Sequence, residues 1–182
     1  MVRKAASSLA MLNLHPQKFV SVHIRTGFMN SWLGEIVLNQ DFFNGIRFPR
    51  TQASWRGMID CALGIADSFL GNNSLLLVSS DDHEPKDWAV ATYGARIRTL
   101  DNHPVHVSPR LLKAPGGTEN SFLQNWIELA VMAQSHAIVR IPSGFSDTAS
   151  HMCSMSPEFL YTYSIADKWC RDVAHSNRLI YI

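Results

Sequence analysis

Apolar and polar positions alternate with two different periods along this chain, and the switches between them mark its elements. Apolar residues at Trp55, Met58, Ile59, Ala62, Leu63, Ala66 and Phe69 follow the three-to-four spacing of one helical face over Gln52 to Leu70. Gly71 is placed to cap that helix. The uninterrupted run Ser74-Leu75-Leu76-Leu77-Val78-Ser79 is instead short and rich in aliphatics, the pattern of a strand buried on both faces. Similar reasoning predicts a strand over about Lys18 to Arg25, a helix over Glu84 to Tyr93 with Pro85 in its first turn, and a strand over Ala95 to Leu100. Arg96 and Arg98 on one face put that strand near a sheet edge. Thr118 is positioned to cap a long helix reaching Gln134, with Glu119 and Ser121 in its first turn. His136 to Ile141 reads as a fourth strand, Pro142-Ser143-Gly144 as a turn, Phe145 to Cys153 as a short helix and Phe159 to Ser164 as a fifth strand.

Strands alternating with helices in this order predict an α/β domain, a Rossmann-like doubly wound parallel sheet covered on both faces. The chain of 182 residues suits one domain over 1–182, with an N-terminal helix and turn over 1–17 and a long irregular loop over 27–51. A loop of that length is uncommon without a function and is a candidate substrate lid. No internal repeat or low-complexity segment interrupts the pattern.

Composition narrows the function classes. With 46% hydrophobic and 17% charged residues and a net charge of +1, the chain reads as a soluble globular protein, which argues against nucleic acid as a partner. A local basic pocket for one phosphate group stays compatible with that balance. No apolar run reaches the roughly 20 residues needed to span a bilayer, and Met1 to Leu14 fits an amphipathic helix better than a signal peptide. Three cysteines do not make a disulfide framework. Cys61, within an apolar helical run, reads as a buried core thiol, leaving Cys153 and Cys170 as candidates for one bridge in a secretory setting. Asn72-Asn73-Ser74 is a glycosylation sequon of low specificity.

In open α/β sheets ligands lie beyond the carboxyl ends of the strands, so the strand exits carry the candidate chemistry. Phe19-Val20-Ser21-Val22-His23-Ile24-Arg25 brings an imidazole and a guanidinium to one such exit, two residues apart and hence on one face. The planar fork of Arg25 suits a phosphate, while the plain alternative is a strand-end arginine paired with a surface carboxylate. Asp81 and Asp82 follow the second strand, placed either to accept hydrogen bonds from a base or ribose or to cap the next helix. Ser143-Gly144-Phe145-Ser146 opens a helix, so its amides and hydroxyls can bind an anion, while Ser143 can also serve as a plain N-cap.

In order, these pieces resemble the fucosyltransferase superfamily, which includes α-1,6-fucosyltransferases, bacterial nodulation fucosyltransferases and protein O-fucosyltransferases. The resemblance is carried by His23-Ile24-Arg25, by Leu77-Val78-Ser79-Ser80-Asp81-Asp82, and by Asn120-Ser121-Phe122 with Ala130 to Val139 leading into Ser143-Gly144-Phe145-Ser146. It spans about Val20 to Ala149. It implies the C-terminal, GDP-fucose-binding half of a GT-B glycosyltransferase working in the Golgi or endoplasmic reticulum lumen, with a glycan or protein as acceptor. Arg25 would then hold the β-phosphate, His23 with Asp82 the guanosine part, and Ser143 and Ser146 with adjacent amides the diphosphate. The mechanism implied is inverting and metal-independent, with no cofactor beyond the sugar donor. The chain departs from the family in having Thr26-Gly27-Phe28-Met29 where an acidic residue often follows the arginine. Glu35 in the long loop is the candidate general base, ahead of Asp41. A GT-B enzyme also has an N-terminal domain, and little precedes the first strand here, so a fragment or a reduced homologue is expected.

Two other classes fit parts of the pattern. One is a non-catalytic nucleotide-sugar or glycan-binding module. The other is a serine esterase of the α/β-hydrolase type, with Ser146 in an elbow-like turn followed by Asp167 and His175. His103 and His106 lack a third metal ligand at recognisable spacing. Trp32, Phe42, Phe43 and Phe48 are candidates for stacking on an acceptor sugar.

Overall fold

Every residue of β1 (Phe19–Ile24) is buried, and its alternation deals the side chains to opposite faces of a sheet. Val20, Val22 and Ile24 enter one core with Trp55, Met58, Ile59, Ala62 and Ala66 of α2 (Gln52–Leu70). Phe19 enters a second core on the other face, with Leu9 of α1 (Val2–Met11) and Val131 and Met132 of α4 (Glu119–Met132). The computed structural model describes residues 2–26, 42–43, 46–47, 52–100, 119–141, 143–153, 155, 159–164, 169–172 and 179–180.

A short antiparallel hairpin of β2 (Phe42–Phe43) and β3 (Ile46–Arg47) lies within the segment expected to be a wholly irregular loop. Among the described residues the main sheet has seven strands. It comprises β1, β4 (Leu75–Ser80), β5 (Ile97–Arg98), β6 (Ala137–Arg140), β7 (Leu160–Ser164), β8 (Trp169–Asp172) and β9 (Leu179–Ile180), in the order β5-β4-β1-β6-β7-β8-β9. The five strands from β5 to β7 pair in parallel, and β8 and β9 extend the sheet antiparallel. The α/β class expected from the sequence is therefore observed, as a mostly parallel sheet with helices on both faces. α2 and α3 (His83–Tyr93) cover one side, and α1, α4 and α5 (Gly144–Met152) cover the other. The first half of the parallel set grows from β1 toward β5 and the second from β6 toward β7, so the order reverses between β1 and β6. Such a reversal leaves a crevice at the carboxyl ends of the two strands.

Three details depart from the pattern reading. The expected strand over Ala95 to Leu100 shrinks to Ile97–Arg98, because Gly94–Arg96 forms a tight 3-10 turn. Arg96 is drawn back onto Asp67 and the Ser74 carbonyl, and Arg98 donates to the Leu12 carbonyl at 2.7 Å, uses that fit a sheet edge. Phe69, at the end of the predicted helical stripe, is 51% exposed and packs its ring against His136 and Phe159. The cysteine assignment is also corrected. Cys61 is not a free core thiol but is bonded to Cys170, and Cys153 is free. Cys170 alternates inward on β8 onto the face that α2 covers, with a Cα separation of 6.3 Å from Cys61, within ordinary disulfide reach.

Helix ends follow local chemistry. Asp82 caps α3 by accepting the Glu84 amide at 3.2 Å, and Gly94 closes it at φ +56° with its amide on the Val90 carbonyl. Ser143 caps α5 in an extended conformation. No helix among the described residues is long and apolar enough to cross a membrane.

Candidate functional site

Parallel pairing puts His23 beside Ser79 of β4 and beside Arg140 of β6, at the carboxyl ends of the strands flanking the point of reversal. These three side chains share the sheet face that α5 covers. His23 is 4% exposed. Its ring stacks on Phe145, in the first turn of α5, with centroids 5.0 Å apart and planes inclined by 27°. Its Nδ1 lies 3.2 Å from the Ser143 hydroxyl. An imidazole from the first strand and a serine from the mouth of the last described helix thus meet directly.

The electrical surroundings keep His23 neutral. Burial depresses its pKa first, and the nearby charges of Arg25, Arg140 and Lys86 depress it further, to about 3. The ring therefore offers one donor and one acceptor across the physiological range, and bonding at Nδ1 couples its tautomer to the Ser143 hydroxyl.

Behind Ser143 lies Ser146, fully buried. Its hydroxyl is 2.9 Å from that of Ser143 and donates to the Ser143 carbonyl at 3.2 Å, while its amide donates to the Ser143 hydroxyl at 3.3 Å. Ser146 thus sits behind Ser143, with its hydroxyl turned onto the Ser143 carbonyl rather than toward solvent. The same burial applies to Ser146 as an elbow-like serine, and Asp167 and His175 lie outside the described residues. At this mouth Ser143 and Phe145 are partly exposed. Gly144 is exposed, and a Cβ added there would meet nothing within 4 Å.

The two aspartates divide their work. Asp81 Oδ1 accepts both the Thr26 amide at 2.7 Å and the Thr26 hydroxyl at 3.0 Å, clamping the exit of β1 to the exit of β4. Burial raises the Asp81 pKa, opposed by the Thr26 hydrogen bonds and by the charge of Arg25. Asp82 is committed to capping α3 through Oδ1. Arg25 is half-buried next to His23 and Asp81, close enough to influence the protonation of both. Glu35 and Asp41 lie outside the described residues, as do Trp32 and Phe48.

Two contributors escaped the sequence reading. Thr26 was noted only as a departure from an expected acidic position. Arg140 ends an apolar strand three residues before Ser143, and no local pattern marks it, because its place beside His23 is set by the register of strands far apart in sequence. Lys86 adds a deeply buried ammonium 3.8 Å from Glu128, both side chains 3% exposed. Among the described residues no three His, Cys, Asp or Glu side chains cluster as metal ligands. The arrangement as a whole is a basic, largely dehydrated cluster in which His23, Arg140 and Lys86 lie near the first turn of α5, and helix amides of that kind are a physical match for an anion. No protein-family model matches the chain, and no curated protein matches it.

Proposed function

We propose that this chain is a glycosyltransferase-like domain of the fucosyltransferase superfamily, Rossmann-like in its sheet and equivalent to the C-terminal half of a GT-B enzyme. In this reading it binds GDP-fucose and transfers fucose to a glycan or protein acceptor without a metal. The observation that carries the reading is the contact between His23 and Ser143, because it joins the two sequence pieces expected to share a diphosphate. The reversal of strand order between β1 and β6 lies at the same place.

In this mechanism Arg25 and the amides of Gly144 and Phe145 receive the negative charge that builds on the diphosphate as the sugar bond breaks. Ser143, fixed by Ser146, donates to a phosphate oxygen and passes its orientation to the neutral ring of His23. Asp81 holds the strand exit that presents Arg25, and Asp82 keeps one carboxylate oxygen for the guanosine part. Glu35 is the proposed base that takes the acceptor proton. The bond between Cys61 and Cys170 agrees with an oxidising compartment such as the secretory pathway.

Calorimetric titration with GDP tests the donor site. Binding by the wild type and its loss in Arg25→Ala, with the folded state retained, is the expected result; equal affinity of the two proteins for GDP rejects the site. Turnover of GDP-fucose then separates the transferase from a binding module that retains the nucleotide site alone.

A further inference from the structure

Arg140 is the unexplained group of this cluster. It is 7% exposed, and its Nε and Nη1 have no hydrogen-bond partner although both are shut off from solvent. Nη1 touches Asp147 Oδ1 as an ion pair, but out of line for a hydrogen bond. A buried guanidinium held this way has paid its desolvation without receiving the directed bonds that normally offset it. Asp147 itself sits in the first turn of α5 and is nearly half exposed, so it can turn away into water at little cost. The same turn carries Ser143 and the open backbone at Gly144, and Arg140 stands beside His23 on the sheet face that this turn covers.

We infer that Arg140 is a second anion-holding arginine of the site, with Asp147 acting as an internal stand-in for the ligand that an incoming phosphate displaces. The inference rests on the proposed diphosphate site and adds to it a binding residue and a competition. In the unliganded protein the Asp147 carboxylate neutralises Arg140. When a di-anionic phosphate arrives at the α5 mouth, the planar fork of Arg140 exchanges one misaligned carboxylate oxygen for aligned phosphate oxygens. Asp147 then swings outward. The consequence is unusual for a carboxylate in a binding site: removing its charge strengthens anion binding.

The test is calorimetric titration of wild type, Asp147→Asn, Arg140→Gln and the double variant with inorganic pyrophosphate and with GDP, after confirming the fold by circular dichroism. Asp147→Asn is expected to bind pyrophosphate about 5- to 10-fold more tightly, Arg140→Gln at least 10-fold more weakly, and the double variant like Arg140→Gln alone. Asn keeps a helix-start side chain at an exposed position, so Asp147→Asn remains decisive even if Arg140→Gln fails to fold. Unchanged or weaker binding by folded Asp147→Asn, with wild-type GDP binding intact, overturns the competition and leaves the nucleotide reading standing. Tighter pyrophosphate binding without any GDP binding supports Arg140 and rejects the nucleotide. No binding of either ligand by any of the proteins overturns both.

Discussion

The imidazole Nδ1 of His23 lies 3.2 Å from the hydroxyl of Ser143, across 120 positions of chain, with the ring also stacked on Phe145. This places a titratable ring, neutral and nearly dry, at the join between β1 and α5. The join ties the start of the sheet to the helix that closes its second half.

That ring makes stability depend on pH in a defined direction. Its folded pKa, about 3, lies below the ordinary 6.5, so between these values the unfolded chain binds the extra proton. The contribution is complete above pH 6.5 and is lost as pH falls toward 3, at no more than about 1.4 kcal/mol per pH unit for one proton. Arg25, Arg140 and Lys86 face the ring and sharpen the effect, while Asp81, with its raised pKa, works in the opposite sense. In urea denaturation from pH 7 to 4, His23→Gln should be less stable at pH 7 yet flatter with pH. Parallel curves for the two proteins would show that His23 is not the group responsible.

Gly57 of α2 packs directly against Tyr163 of β7. A Cβ built there would overlap the Tyr163 hydroxyl of β7 and lie 2.8 Å from its Cζ. Ala normally favours a helix interior over Gly, so propensity alone predicts that Gly57→Ala stabilises by about 1 kcal/mol. Overpacking against a buried tyrosine wins instead, at a net cost of about 1–3 kcal/mol. Tyr163→Phe removes the nearest atom, so the double variant should recover part of that loss. A Gly57→Ala protein with an unchanged or higher denaturation midpoint would reject the close approach.

Legibility in the sequence followed the range of the interactions. α2, β1, β4 and β6 were readable because burial on a helical stripe, or on both faces of a strand, writes a period into neighbouring residues. The strand exits were readable for the same reason, since His23, Asp81 and Ser143 directly follow apolar runs or end them. Arg140 was not, because only the register between β1 and β6 turns it from the last residue of a strand into a neighbour of His23. The Cys61 bond was hidden similarly, as Trp169-Cys170-Arg171-Asp172 is too short to announce a strand and its place depends on antiparallel pairing with β7. Ser146 looked equivalent to Ser143 in the sequence, and only the start of α5 separates the capping hydroxyl that meets His23 from the fully buried one.

The clamp between Thr26 and Asp81 ties the exit of β1, which carries Arg25, to the exit of β4. Thr26→Val keeps the amide donor but removes the 3.0 Å hydroxyl bond to a half-buried carboxylate, which should cost about 1–2 kcal/mol. Asp81→Ala removes both bonds and should cost more, with weaker GDP binding as Arg25 loses its fixed exit strand. Thr26→Ser restores the hydroxyl and should stay close to wild type in both respects. Denaturation midpoints and GDP affinities measured on the three variants check this. Full GDP affinity in a folded Asp81→Ala protein would show that the clamp does not position Arg25.

The bridge between Cys61 and Cys170 closes a loop across a sequence separation of 109 residues and fastens β8 to α2. Long loops constrain the unfolded chain strongly, so losing this bond should cost about 2–5 kcal/mol. β8 joins the parallel strands only through its antiparallel pairing with β7, so its packing against α2 depends on the bond more than that of the central strands. Reduction, or the pair Cys61→Ala and Cys170→Ala, should lower the thermal midpoint and expose the segment after β7 to protease first. Alkylation of unreduced, denatured protein should modify Cys153 alone, and peptide mapping should recover Cys61 and Cys170 in one linked fragment. Recovery of Cys153 linked to either partner would overturn the assignment.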